Sequence, residues 1–201
     1  MSGSGIGVAL LVGTFTGYGV SSAPATPITQ IGLDYLTPVK DDRQIKTTNL
    51  SLYLREKRLQ SIPLSLKFGV VFSHATGQIT QLTGAWEAGT LRSETLNSPG
   101  NGIGPAIEAS LALWQGDGYL KPRVGLDFMT ALMIYDRKFP AGGDRYNGTF
   151  QLGPSISLKP TKSDEISIGY RYTHTSNGQG LTPSNPGYDA RGLTLRWNKE
   201  F

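Results

Sequence analysis

Residues 62–74 read IPLSLKFGVVFSH, and their apolar side chains fall on alternate positions. Leu64, Leu66 and Phe68 share one face of an extended chain, and Lys67 lies in the middle of the other face. Because successive side chains of a β-strand point to opposite faces, this period of two predicts a strand with one apolar and one polar face.

The same alternation recurs along the rest of the chain. It predicts further strands at residues 28–36, 45–55, 105–114, 119–135, 146–158, 165–176 and 189–199. Most are close to the roughly 9–11 residues that a tilted membrane-spanning strand requires, and the range 119–135 is the longest. Charged side chains lie in the middle of the polar faces, among them Glu108, Arg123 and Asp127. The fold expected is all-β, an eight-stranded antiparallel transmembrane β-barrel whose polar faces form a packed lumen.

Composition supports this class and excludes others. The chain has 201 residues, 17% of them charged, with a formal net charge of +4, two histidines and no cysteine. No disulfide or thiolate metal site is available, and two histidines argue against a multi-histidine metal centre. The charge is too small and too scattered to indicate nucleic-acid binding. No apolar run reaches the roughly 18 residues of a transmembrane helix.

The N-terminal segment is interpreted separately. Residues 8–12 are the most apolar stretch, and small residues follow at 22–25, as in a secretory signal. The first basic residue is Lys40, so the positive charge that usually opens such a signal is missing. We therefore expect residues 1–25 to be a signal-like segment or an ordered N-terminal strap, and residues 26–201 to form the barrel.

The connections between the predicted strands divide into two groups. The short group lies at residues 56–61, 115–118 and 159–164. The other group lies at residues 75–104, 136–145 and 177–188, and includes the glycine-rich stretch 97–104, interpreted as loop. Short periplasmic turns and longer external loops are typical of outer-membrane barrels. Alternation alone leaves open a soluble sandwich or a lipocalin-like carrier with its apolar rows turned inward.

One polar constellation stands out at the predicted external end. Residues 173–189 read THTSNGQGLTPSNPGYD, with His174 two positions before Ser176. Side chains at i and i+2 share a face, about 6.5–7 Å apart, and here that face is the apolar one. Asp189 opens the apolar row of the next strand, and facing side chains on paired strands approach to about 4.5–5.5 Å. The spacing predicts that the three meet on the outer surface.

Simpler interpretations exist for the single residues. A rim histidine often sits in the interfacial aromatic girdle, and Ser-Asn-Gly is common in turns. His74, which continues the outward row of Phe72, is interpreted in this way as structural or interfacial. For His174 and Ser176, a catalytic site is favoured instead, because Asp189 is expected on the same outer face.

The chain resembles the lipid A 3-O-deacylase family (PagL-type acyloxyacyl hydrolases) over residues 26–201. The resemblance is carried by HTSN at residues 174–177 and NPGYD at 185–189, with weaker similarity at 82–87 and 142–154. It implies an eight-stranded barrel of the Gram-negative outer membrane. It also implies a serine esterase that removes an ester-linked 3-hydroxyacyl chain from lipid A of lipopolysaccharide, without a cofactor or metal.

The resemblance also assigns roles. It makes Ser176 the nucleophile, His174 the general base and Asp189 the acid, where the family often has glutamate. The remaining predicted contacts are Asn185 as oxyanion donor, with Gly180 and its loop as helpers, and Asn177 as a second support or as the residue that orients the loop.

Partners and rival functions follow from the same reasoning. The expected partners are lipid A and other outer-membrane lipids, and no nucleic acid. Arg191, just below Asp189, is expected to contact a lipid phosphate, to pair with Asp189 or to extend towards the interface as a rim arginine. The alternative function is a non-catalytic barrel with a structural or adhesion role that uses residues 75–104. The sequence leaves open whether the barrel works alone or as a homodimer.

Overall fold

The computed structural model describes residues 24–59, 61–83, 89, 92–178 and 186–201. These residues form nine β-strands: β1 (Thr26–Pro38), β2 (Arg43–Arg58), β3 (Leu64–Thr83), β4 (Arg92–Asn97), β5 (Gly100–Gln115), β6 (Arg123–Phe139), β7 (Asp144–Leu158), β8 (Asp164–Ser176) and β9 (Tyr188–Glu200). Within the described ranges, no helix is long and apolar enough to cross a membrane. The prediction for residues 1–25 falls almost wholly outside them, since description begins at residue 24.

Eight of the strands close into a ring. The neighbours run in the order β2-β1-β9-β8-β7-β6-β5-β3, and pairing of β2 with β3 completes the circle. Every pair is antiparallel, and the first and last strands meet with Ile28 opposite Glu200. The predicted eight-stranded antiparallel barrel is therefore confirmed. We call the end that carries Ile28 and Glu200 the terminal end, and the opposite end the distal rim.

The strands reach further than the sequence pattern predicts. β3 continues to Thr83, and its last residues pair with β4, which lies outside the ring of eight. β6 runs to Phe139 and β7 starts at Asp144, so only residues 140–143 connect them. The predicted loops at 75–104 and 136–145 are thus wrong over much of their length. Backbone pairing continues beyond the apolar rows because strand hydrogen bonds do not depend on an apolar side chain.

Most of the glycine-rich stretch 97–104 is also strand rather than loop, since β4 ends at Asn97 and β5 begins at Gly100. A Cβ added to Gly102 would lie 2.8 Å from Cε1 of Tyr135, and one added to Gly104 would lie 1.9 Å from the Leu132 carbonyl oxygen. The glycines are therefore needed where a ring and a neighbouring strand approach the backbone closely.

A bulge corrects the predicted faces of β2. The register with β3 shifts between Tyr53 and Arg55. The alternation Ser51, Tyr53, Arg55 in the sequence puts Arg55 on the polar inner face. In the structure Arg55 is exposed, and Glu56 is buried in its place. An extra residue in one strand reverses the direction of every side chain that follows it.

Elsewhere the two faces match the prediction. Outer residues are apolar and exposed; for example, Leu33 is 49% exposed, Leu132 71% and Ile156 56%. The inner face is polar and buried, and its charges form pairs. Arg196 contacts Asp34 at 2.6 Å, and Arg171 contacts Asp127 at 2.5 Å. An apolar exterior around a polar, paired lumen is the arrangement of a membrane barrel.

Glu108 and Lys67, both predicted on polar faces, belong to the same network of charges in the lumen. Glu108 accepts a hydrogen bond from Gln30 at 2.9 Å and lies 3.5 Å from Lys67 Nζ. It also lies 3.3 Å from Arg196 Nε. Pairing is what allows these charges to be buried, because an isolated ion inside a protein is strongly disfavoured.

The distal part of the lumen is apolar and aromatic. The rings of Tyr135 and Phe139 stack with centroids 4.3 Å apart, and Phe139 meets Tyr188 edge-on at 5.7 Å. All three side chains are almost completely buried. This aromatic cluster backs the wall formed by the first residues of β9, and it fixes the neighbouring outward-facing side chains.

Candidate active site on the distal rim

Strands β8 and β9 carry the predicted trio. In their antiparallel register, His174 lies opposite Asp189 and Tyr172 opposite Arg191. The outward direction follows from the row below, where Tyr170 is 44% and Tyr172 47% exposed. The expectation that His174 points to the outer surface agrees with this geometry, since its side chain is 46% exposed.

The histidine and the carboxylate are in direct contact. His174 Nδ1 and Asp189 Oδ1 are 2.8 Å apart, and the Asp189 side chain is only 12% exposed. An ionised carboxylate can only accept, so Nδ1 carries the proton in this bond. The neutral tautomer then has its lone pair on Nε2, which is the nitrogen available as a base.

Ser176 lies on the same face, two residues further along β8, and is half-buried. A Cβ built on Gly187 would lie 3.0 Å from Ser176 Cβ and 3.5 Å from His174 Cε1. The bare backbone of Gly187 therefore covers both side chains. In the part of the chain that the structure describes, Ser176 Oγ makes no hydrogen bond to the His174 ring.

A fourth residue, Lys40, joins the site from the turn between β1 and β2. Its Nζ lies 3.2 Å from Asp189 Oδ2. Lys40 was not predicted, although the pairing of first and last strands that every closed barrel needs would bring the first turn beside β9. Arg191 is exposed and faces Tyr172. Among the described residues it forms no ion pair with Asp189, whose cationic partner is Lys40.

Asn177 turns away from this surface. It is buried, and its Nδ2 donates to the backbone carbonyl oxygens of Tyr146 at 2.7 Å and Asp144 at 3.1 Å. These bonds tie the end of β8 to the start of β7, which favours the loop-orienting interpretation. Asn185 and Gly180 lie outside the described residues, so their assignment to the oxyanion stays a prediction.

His74 sits on a different part of the wall. Its Nδ1 is 2.7 Å from Asn101 Oδ1, and Asn101 Nδ2 donates to Asp136 at 3.1 Å. This hydrogen-bonded arrangement suits a satisfied rim histidine. Over the described ranges, no group of three or more His, Cys, Asp or Glu side chains is placed to hold a metal ion.

Solved structures that are similar to this chain include the following three. The outer membrane enzyme PagL is 12% identical, with 87% of this chain and 99% of that chain covered and a TM-score of 0.47. Neisserial surface protein A (NspA) is 14% identical, with coverages of 90% and 99% and a TM-score of 0.46. The Yersinia pestis outer membrane protein Ail is 15% identical, with coverages of 85% and 99% and a TM-score of 0.33. No curated protein matches the chain.

The family comparison is more informative. The model for lipid A 3-O-deacylase (PagL) matches residues 60–198. That match includes β3 to β8, most of β9, and the whole stretch from His174 to Asp189. The chain therefore belongs to the lipid A 3-O-deacylase (PagL) family, and it is a β-barrel of the Gram-negative outer membrane.

Proposed function

We propose that this protein is a serine esterase that hydrolyses an ester-linked 3-hydroxyacyl chain of lipid A. The observation that supports it most is the 2.8 Å hydrogen bond between His174 and Asp189 on the outer face of the barrel. Ser176 follows on the same face of the same strand. A hydroxyl, an imidazole and a carboxylate, which are the groups that acyl transfer uses as nucleophile, base and acid, thus lie at one rim.

In the proposed reaction, His174 Nε2 takes the proton of the Ser176 hydroxyl while Oγ attacks the ester carbonyl carbon. The tetrahedral intermediate collapses, the bond to the sugar oxygen breaks, and His174 returns the proton to that oxygen. Water, activated by the same histidine, then attacks the acyl-serine and releases the fatty acid. Asp189 keeps the proton on Nδ1 and stabilises the imidazolium that forms in each step.

The serine must approach the imidazole for this chemistry. Ser176 and His174 share a face, and a change in the Ser176 side-chain rotamer is the movement that the proposal requires. Hydrogen bonds of catalytic groups are often long in the absence of substrate and shorten when it binds. We infer that the approach of the acyl ester brings about this rotamer change.

The oxyanion of the intermediate also needs donors. We assign this role to Asn185, with backbone N–H groups around Gly180 as helpers. One such donor contributes on the order of 3–4 kcal/mol to transition-state stabilisation in hydrolases. Asn177 is assigned to positioning, because its amide already donates to backbone carbonyl oxygens inside the wall.

The location suits a lipid substrate. Below the trio the outer surface continues with Tyr170, Leu193 and Leu195, all more than 40% exposed. Acyl chains of lipid A in the outer leaflet lie against such a surface, so the ester can reach Ser176 by lateral diffusion in the membrane. Arg191, exposed beside this row, is assigned to a lipid phosphate.

Mass spectrometry of lipid A tests the proposal. Lipid A from outer membranes that contain the wild-type protein should lack one hydroxyacyl group. Lipid A from membranes that contain Ser176→Ala should keep it. Thr76→Ala is a matched control, because Thr76 is exposed two residues after His74 on another strand, and it should leave deacylation intact. Heat-modifiable migration on gels verifies folding of each variant. Deacylation that persists in folded Ser176→Ala would refute the serine mechanism.

A further inference from the structure

Resting on the proposed function, we propose that Lys40 is a positioning residue of the hydrolytic site. Its ammonium holds one carboxylate oxygen of Asp189, and the other oxygen stays on His174. Lys40 does not touch the reacting atoms in this proposal, since it acts through the carboxylate.

Asp189 has a different partner on each oxygen. Oδ1 lies 2.8 Å from His174 Nδ1, and Oδ2 lies 3.2 Å from Lys40 Nζ. A carboxylate bound only at Oδ1 can rotate about the Cβ–Cγ bond, and the imidazole then loses its orientation. Two partners on opposite sides fix the carboxylate plane and, with it, the plane of the ring.

The turn that carries Lys40 is itself held in place. Val39 N–H donates to the Asp189 carbonyl oxygen at 3.1 Å, and Arg43 N–H donates to the Lys40 carbonyl oxygen at 3.2 Å. On the other side, Thr80 N–H donates to the Asp42 carbonyl oxygen at 2.8 Å. The turn is therefore attached to both β9 and β3, which gives the ammonium a defined position relative to the carboxylate.

The exposure of Lys40 indicates that its ion pair with Asp189 orients the carboxylate rather than stabilises the fold. The Lys40 side chain is 61% exposed, and an ion pair with so exposed a partner adds little to the stability of a fold. The Asp189 carboxylate is 12% exposed, so few water molecules compete with its protein partners. Tyr172 also interacts with this carboxylate. Within the described part of the chain, Arg191 makes no ion pair with it. Among the lysines and arginines that the structure describes, Lys40 is thus the one that contacts Asp189.

Steady-state kinetics on purified protein in detergent micelles, with lipid A as substrate, test this role. Lys40→Met should lower kcat about tenfold and leave KM within about twofold, because only the geometry of the base is disturbed. Lys40→Arg restores a cation that reaches Asp189 and should recover most of the rate. Lys46→Met is the matched control, since Lys46 is exposed on the neighbouring strand β2, and its kcat should equal that of the wild type.

Two outcomes would overturn the inference. One is a wild-type kcat in Lys40→Met. The other is a rise in KM alone, which would make Lys40 a substrate contact. Proton NMR gives a second readout: the low-field signal of the His174 Nδ1 proton should weaken or shift in Lys40→Met and be unchanged in Lys46→Met. An active Ser176→Ala would instead show that the proposed function itself is wrong, so the two failures are distinguishable.

Discussion

Tyr188 and Asp189 are neighbours in the chain, but their side chains lie on opposite sides of the barrel wall. Tyr188 is buried in the lumen, where its ring meets Phe139 edge-on at 5.7 Å. Asp189 contacts His174 at 2.8 Å on the outside. Packing of Tyr188 in the lumen thus fixes the backbone that presents the Asp189 carboxylate. The position of this carboxylate on the membrane-facing surface is therefore set from inside the barrel.

This relationship makes Asp189 the residue whose chemistry is most easily separated from its packing. Asp189→Asn preserves the size of the side chain but favours the wrong histidine tautomer, since an amide can donate to Nδ1. We expect kcat for deacylation to fall by on the order of 10⁴-fold, as in other triads in which the acid is replaced by its amide. Asp136→Asn, on a different strand pair, is the control and should retain activity. A fall of less than tenfold for Asp189→Asn would argue against the triad.

The effect of a Gly→Ala substitution on folding should depend on the space around the glycine. Gly104 in β5 and Gly148 in β7 differ in this respect. Gly104→Ala would place a Cβ 1.9 Å from the Leu132 carbonyl oxygen, so the pairing of β5 with β6 must shift. Gly148→Ala meets no atom closer than 3.6 Å. We expect the heat-modifiable folded fraction to fall strongly in Gly104→Ala and to stay near the wild-type level in Gly148→Ala. Equal yields would mean that the strands accommodate the extra carbon.

The buried pair of Arg171 and Asp127 should behave as a unit. Arg171→Met leaves the Asp127 carboxylate without its 2.5 Å partner inside the lumen, and we expect a loss of about 3–5 kcal/mol in the free energy of unfolding. The double variant Arg171→Met, Asp127→Leu removes both charges and should be more stable than the single variant. Urea unfolding in detergent micelles measures both. A double variant less stable than Arg171→Met would contradict the pairing argument.

Much of the architecture could be predicted from the sequence because it depends on the alternation of apolar and polar side chains along each strand. Alternation assigned Lys67, Glu108 and Asp127 to the lumen, and all three are buried there. It failed at Arg55, where a bulge reverses the faces, and in 97–104, where glycine serves close packing in a strand. Neither a bulge nor a close approach of two strands has a signature in the alternation itself.

For the site, the sequence by itself determined that His174 and Asp189 share the outer face, because side-chain direction in a strand is a local property of the chain. Only the tertiary structure decided that these two are directly opposite and in contact, because register depends on how all the strands pair. It also decided that Lys40 reaches Asp189 from a turn near the other end of the chain. That contact exists because a sheet closed into a barrel must place its first strand beside its last.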